Sequence, residues 1–583
     1  MQRYPTRVRL CTQPLALPLP LIRSTRMRFF RLLLTVGSFT TVSAALAPAF
    51  AQSSAAGFTP DKKVVKALEH VRPADFKAHI QYLADDKLLG RLPGTPGYQM
   101  AVDYVSQQLK AFGVQPAGEN GTYVQKVRLR RAFVKPETTL SLRDAQGQTL
   151  PLAAGKEYGV YPNPETASQR VEAPLVFAGY GISAPELGYD DYAGLDVKGK
   201  IVVVIGGAPR PFPSTVSAAS QSAVAVLQNA LHHGATGVVM AATKPTAGMP
   251  NLKRGAYSVL GADGKVAASR SYVPGAQLKL FGNVNAATLH TLLRAAGTDT
   301  SQVFAALRGG KPASVALRHT VSAAVESRYE DFDSYNVVGK LTGSDAKLRD
   351  EYVVHSAHLD HLGVSTPVQG DSIYNGAHDN ASGVASVLEI ARVYSRLKKM
   401  PARSMLFVLQ TGEELGLLGS AYFAAQPTVP KQSIVANVNT DMPTIIAPLL
   451  SVVPLGAQHS TLDEPVNRAA AYLNLTVEAD PEPEQNRFIR SDQYSFVTQG
   501  IPALHIKYGN KTADGKNDLA KTVQAWRALT YHKPQDDING TFDFEAGKKY
   551  VQLNFLIGYQ VAQNPQRPTW KPGDFFGGRY GAK

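Results

Sequence analysis

From Tyr335 onward the chain alternates two textures, and this restricts its fold more than any other feature. Apolar runs of strand length, YVVHSAHLD, SMLFVLQTGEE, SIVANVNTDM and later IPALHIKYG, are parted by stretches with helical spacing, of which GVASVLEIARVYSRLKK is the clearest. Such alternation predicts an α/β sheet covered by helices. In the helical stretch Val384, Val387, Leu388, Ala391, Tyr394 and Leu397 share one face, and Asn380 or Ser382 can cap its free N–H groups. The preceding loop, NGAHDNASG from Asn375, then falls at the C-terminal edge of the sheet, where open α/β folds place their ligands.

These strand ends deliver histidine or acid. AHLDHLG carries His358, Asp360 and His361; HDN carries His378 and Asp379; GEE carries Glu413 and Glu414; NTDM carries Asp441. Two neighbouring carboxylates repel unless a cation or proton lies between them. The bland alternative is a solvated helix N-terminus, which favours acids through the macrodipole. Water can be activated at neutral pH by two divalent ions about 3.5 to 4 Å apart that share one bridging carboxylate. Such a site needs two histidines and four acids; the motifs supply the acids and His358, and Tyr531-His532 in LTYHKPQDD offers the second histidine. A covalent route would need a GxSxG elbow or a Cys–His pair. No convincing elbow is present, and the single cysteine, Cys11, lies in the leader.

That leader explains much of the charge. The net +15 suggests nucleic acid until one sees that the first 51 residues hold seven arginines and no acid; the remainder carries +8, without a Lys/Arg block. Nucleic-acid binding is therefore not expected. MRFFRLLLTVGSFTTVSAALAPAFAQ, from Met27, has the basic start, apolar stretch and Ala-x-Ala ending of an export signal cleaved between Ala51 and Gln52. Residues 1–51 are accordingly read as a signal peptide, with Met27 as a possible true start. The interrupted apolar stretch argues against a membrane anchor, so a soluble periplasmic or secreted chain is expected after cleavage. Residues 58–135 read as helical segments that open the main domain, 136–319 as an inserted β-rich module with one helical insert, and 320–563 as the α/β part of that main domain, with the site. The tail 564–583 reads as a loose or surface-packed end.

AHLDHLG, GAHDNASG, TGEELGLLGS, NTDM, RSDQYSFVTQGIPAL and YHKPQDD, in this order and spacing, resemble the co-catalytic zinc aminopeptidases of metallopeptidase family twenty-eight, of the bacterial leucyl aminopeptidase type. LLGRLPGTPGYQMAVDYVSQQLKAFG resembles that family's opening segment, and PLVFAGYGISAPELGYDDYAGLDVKGKIVVV resembles the protease-associated domain inserted in many members. The resemblance implies a mixed-sheet, phosphorylase/hydrolase-like α/β/α domain carrying that insert. It implies two zinc ions bridged by Asp379, with His358 and Asp441 completing one and Glu414 and His532 the other. Glu413 is implied as general base, and Asp360 as the hydrogen-bond partner that fixes the His358 tautomer. Tyr531 either donates to the oxyanion or packs in the core. His361 and His378 are expected to line the cleft, His505 to sit in the core or cleft, and His232 and His233 to serve surface or packing roles in the insert. The implied activity is removal of N-terminal residues from peptides with a free amino end. A glutaminyl cyclase would use one zinc, and the intact second ligand set argues against it. A glutamate-type carboxypeptidase is the rival enzyme, with Arg487 and Arg490 on the substrate carboxylate. An inactive peptidase-like binding protein would have lost ligands, and none is lost.

Overall fold

The structure, a computed structural model, describes residues 58–581. The expected signal peptide, Met27 and the Ala51–Gln52 cleavage point lie outside the described residues. No helix among those residues is long and apolar enough to cross a membrane.

The strand-like runs of the second half form one mixed sheet. Its centre is parallel: Ser404–Gln410, Tyr352–His358, Ile434–Asn439 and Ala503–Tyr508 lie side by side in that order. Every residue of these four strands is buried, because helices cover both faces and leave no polar side to alternate with. On one face Pro73–Leu83, Pro96–Ala111, Ser382–Ser395 and Phe544–Gln563 share a core through Phe76, Val105, Leu388 and Leu553. On the other, Phe423, Phe496 and Phe576 close the α/β/α sandwich. Just ahead of Ser382–Ser395, Asn380 Oδ1 accepts from Gly383 N in the first turn at 3.0 Å. The same oxygen accepts from Met442 N, and Nδ2 donates to Thr440 O, so this residue ties the Asp379 loop to the Asp441 loop.

Outside the centre, Ser451–Leu455 runs antiparallel to Ala503–Tyr508, and Val315–Leu341 runs antiparallel to Ser404–Gln410. Val315–Leu341 is a continuous 27-residue strand. Its C-terminal half belongs to the sheet just described, and its N-terminal half pairs with Thr139–Arg143 and Ser168–Phe177 in a second sheet. That second sheet continues in parallel through Ile201–Ile205, Gly237–Ala241 and Leu280–Val284. The expected change of module at 319/320 thus falls within one strand. Besides the helix Ala223–His232, which the sequence pattern marks, this region holds Ser214–Ser220, Ala286–Ala295 and Thr300–Arg308. Apolar burial of Leu289, Leu292 and Leu293 against the second sheet stabilises the helix Ala286–Ala295.

A hairpin, Ala256–Leu260 and Val266–Ser269, leaves this region to pair with Val124–Val134 at the edge of the first sheet. There Val259 and Ala268 pack with Leu418, four residues beyond Glu414. The C-terminal tail is tied down: Trp570 Nε1 donates to Gly500 O at 3.0 Å, and Phe576 is fully buried.

Candidate active site

The four parallel strands end at one edge, and His358 is the last residue of its strand. Its Nδ1 lies 3.1 Å from the main-chain carbonyl of Asp360, which can only accept, so Nδ1 donates there and Nε2 is the atom turned towards the acids. Nε2 faces Asp379 Oδ1 at 3.2 Å and Asp441 Oδ1 at 3.6 Å. The other Asp379 oxygen, Oδ2, lies 3.2 Å from His532 Nε2, which in turn lies 3.3 Å from Glu414 Oε2. One carboxylate thus presents its two oxygens to two separate histidine–acid pairs.

The Asp360 carboxylate lies 3.8 Å from His358 Nδ1, whose hydrogen bond goes to its main-chain oxygen instead. It accepts from Glu413 N at 3.1 Å and Glu414 N at 3.3 Å, so one buried carboxylate fixes the backbone of both glutamates. Burial, with the nearby charges of Glu414, Asp441 and Asp492, holds Glu413 well above the ordinary carboxylate range. Glu414 is buried too, yet its contacts with His361 and His532 hold it below that range. Neighbours in sequence are therefore driven to opposite proton affinities. Against the same burial, Asp379 and Asp441 are held low by His358, and His358 is held high by them.

Tyr531 stacks on His532 with centroids 3.8 Å apart, and the Arg527 guanidinium lies 3.7 Å from the Tyr531 centroid. Burial and the charges of Asp379, Glu414 and Asp441 push its phenol up, so it stays a donor. Glu413, Asp441, Tyr531 and His532 border a cavity of about 360 Å³. Arg487, Arg490 and His505 line it as well, although Arg487 is engaged by Asp480 and by Glu482. His505 Nε2 lies 2.9 Å from the Asp441 carbonyl.

His361 and His378 are both buried beneath the cleft. His361 Nδ1 lies 2.8 Å from Glu414 Oε1, while the His378 ring stacks on Phe542 at 4.0 Å and its Nδ1 lies 3.2 Å from Asp536. His233 stacks on Tyr192 in the second-sheet region. Two positioning residues have no counterpart in the sequence reading. Asp536 accepts the N–H groups of His378 and Asp379, and only its place in the YHKPQDD run marks it. Arg91, 1% exposed, donates to the carbonyls of Leu83, Leu359, Asn375 and Gly376 and so joins the His358 strand end to the Asp379 loop. Its LLGRLPG context signals only a turn.

The donor set suits a cation. Among the described residues buried His361 Nε2 has no hydrogen-bond partner, and His358 Nε2 faces only carboxylate oxygens. Ligand atoms of His358, Asp379 and Asp441, and separately of His361, Asp379 and Glu414, all come within 4.8 Å of one another. All are nitrogen or oxygen donors, which divalent zinc accepts.

Residues 336–549 match the family model described as Peptidase family M28. This segment, less than half of the chain, is similar to that family. The matched segment contains every proposed ligand together with Glu413, Asp360 and Tyr531. Leupeptin-inactivating enzyme 1 of Streptomyces exfoliatus is 30% identical over 240 residues, covering 40% of this chain and 50% of that protein. A probable zinc metalloprotease of Pyrenophora teres f. teres (strain 0-1) is 38% identical over 244 residues, with the same two coverages. The chain spans about half the length, or less, of these and similar curated relatives. Among solved structures, an aminopeptidase from Aneurinibacillus sp. strain AM-1 aligns at 21% identity and TM-score 0.47, over 87% of this chain and 98% of that one.

Proposed function

We propose that this chain is an exported zinc aminopeptidase that removes the first residue from peptides with a free amino end. Two zinc ions would be held by His358 and Asp441 on one side and Glu414 and His532 on the other, with Asp379 shared. The observation that carries the reading is Asp379, each of whose oxygens faces its own histidine. Bound zinc supplies Lewis acidity towards a peptide carbonyl and acidifies water. Glu413 borders the cavity and takes the proton of the attacking water before passing it to the leaving amine. Its raised proton affinity suits a group that must hold a proton between two transfers. Asp360 keeps the two glutamates divergent through their N–H groups. The Tyr531 phenol donates to the carbonyl oxygen as negative charge builds there. The carboxylates around the site favour an incoming α-ammonium.

Two substitutions test the division of labour. Glu413→Gln should retain zinc while turnover falls by roughly 10²- to 10⁴-fold; Glu414→Gln should lose metal. Release of zinc by the first with retained turnover would reverse the assignment. With leucyl peptides, N-terminal acetylation should abolish release, whereas after C-terminal amidation the first residue should still be the one freed. If amidation stops the reaction and acetylation does not, the carboxypeptidase reading takes its place.

A further inference from the structure

The cavity beside Glu413 has a cationic wall that the proton transfers do not use. Lys507, 9% exposed, points Nζ at the main-chain oxygens of Asp441 and Met442, at 2.9 and 2.7 Å, and keeps one N–H unassigned. Arg527 lies over Tyr531, and among the described residues its guanidinium has only the Met442 sulfur, at 3.4 Å, as a hydrogen-bond partner. Arg490 borders the same space from the 487–490 turn. Among the described residues neither Arg527 nor Arg490 forms an ion pair, whereas Arg487 beside them is held by Asp480 and Glu482; burial lowers the Lys507 pKa from 10.5 to about 7, so Lys507 serves this wall chiefly as a hydrogen-bond donor.

On the reading above the ligand acids at the floor of the site are engaged by the metal, which leaves the two arginines of this wall without a carboxylate partner. Like charges brought together in a partly dry cavity repel, and an anion between them relieves that repulsion. Arginine and lysine on one concave surface suit a carboxylate, which an arginine fork can grip through both oxygens. We propose that Lys507, Arg527 and Arg490 form a carboxylate subsite. The preferred substrates are short peptides whose carboxylate, an acidic side chain or the free C-terminus, reaches this wall while the amino end lies at the metal site. The proposal rests on the peptidase reading and narrows its substrate class.

Binding measured without turnover separates the two ideas. Zinc-loaded Glu413→Gln protein is titrated with Leu-Leu-NH2, free Leu-Leu, Leu-Glu-NH2 and Glu-Leu-NH2, and wild-type cleavage of the same peptides is followed in parallel. At least one carboxylate-bearing peptide should bind 10-fold or more tightly than Leu-Leu-NH2. Free Leu-Leu leading identifies the C-terminal carboxylate, and either glutamyl peptide leading identifies a side chain. Added Arg527→Gln or Arg490→Gln should reduce the ratio at least threefold, and so should raised salt. Equal affinities for all four, or a ratio unmoved by both substitutions, would overturn the subsite. Absence of cleavage by the wild type with the binding preference intact would overturn the peptidase reading alone.

Discussion

His361 and Glu414 meet at 2.8 Å, Nδ1 to Oε1, with the histidine wholly buried. The contact leaves Glu414 Oε2 free to face His532. A partner that orients a ligand carboxylate tunes metal affinity, typically by 10- to 100-fold. His361→Leu should therefore hold its second zinc roughly 10-fold or more weakly, seen as metal lost on dialysis against a graded chelator. Metal content matching the wild type throughout the series would show that His361 only fills space.

Arg91 should be intolerant of lysine. The guanidinium fork serves four carbonyls from three parts of the chain, and an ammonium cannot reach all of them. Each buried carbonyl left without its donor costs about 1–3 kcal/mol. Arg91→Lys should lower the unfolding midpoint and also kcat, because the His358 strand end and the Asp379 loop lose their common tie. Full activity with a lowered midpoint would restrict the residue to stability.

His355 should shape the acid limb of stability. It is buried, with no hydrogen-bond partner for either nitrogen among the described residues, and desolvation lowers its pKa from 6.5 to about 3. The unfolded chain thus takes up a proton near pH 6.5 that the folded chain refuses. The corresponding stability is present above pH 6.5 and is lost as pH falls towards 3, at up to about 1.4 kcal/mol per pH unit. His355→Leu should remove that slope, so its midpoint should gain on the wild type as pH drops from 7 to 5. Parallel midpoint curves across this window would contradict the assignment.

The tail should act on the cleft as well as on stability. Asp574 caps the helix Phe575–Tyr580 through Phe576 N and Gly577 N and also contacts His459 Nδ1 at 2.6 Å. The ring of Phe576 packs against His459 and Phe488, and Phe488 sits in the turn that carries Arg490. Phe576→Ala should cost about 3–5 kcal/mol. Ending the chain at 563 should raise KM more than it lowers kcat, since the turn is loosened while the metal ligands stay in place. An unchanged KM would break the link between tail and turn.

Much of this molecule is legible locally. Tyr352–His358, Ser404–Gln410 and Ile434–Asn439 lie within runs whose period and flanking residues announce them, and Ser382–Ser395 starts one residue ahead of its run, because strand and helix propensity act over a few neighbours. The order of the acid-bearing motifs is legible for the same reason: each sits where a strand must stop. What tertiary structure alone decided is which of these groups face each other. His361 and His378 read alike as cleft histidines, yet one was turned onto Glu414 and the other onto Phe542 and Asp536. Arg91 reads as a turn residue, and only a partner 268 positions away makes it a clamp. Val315–Leu341 crosses an expected boundary because its two halves find strands in two different sheets. Such choices have no local signature, since the hydrogen bonds and buried charges that select them exist only once distant segments have excluded water from the space between them.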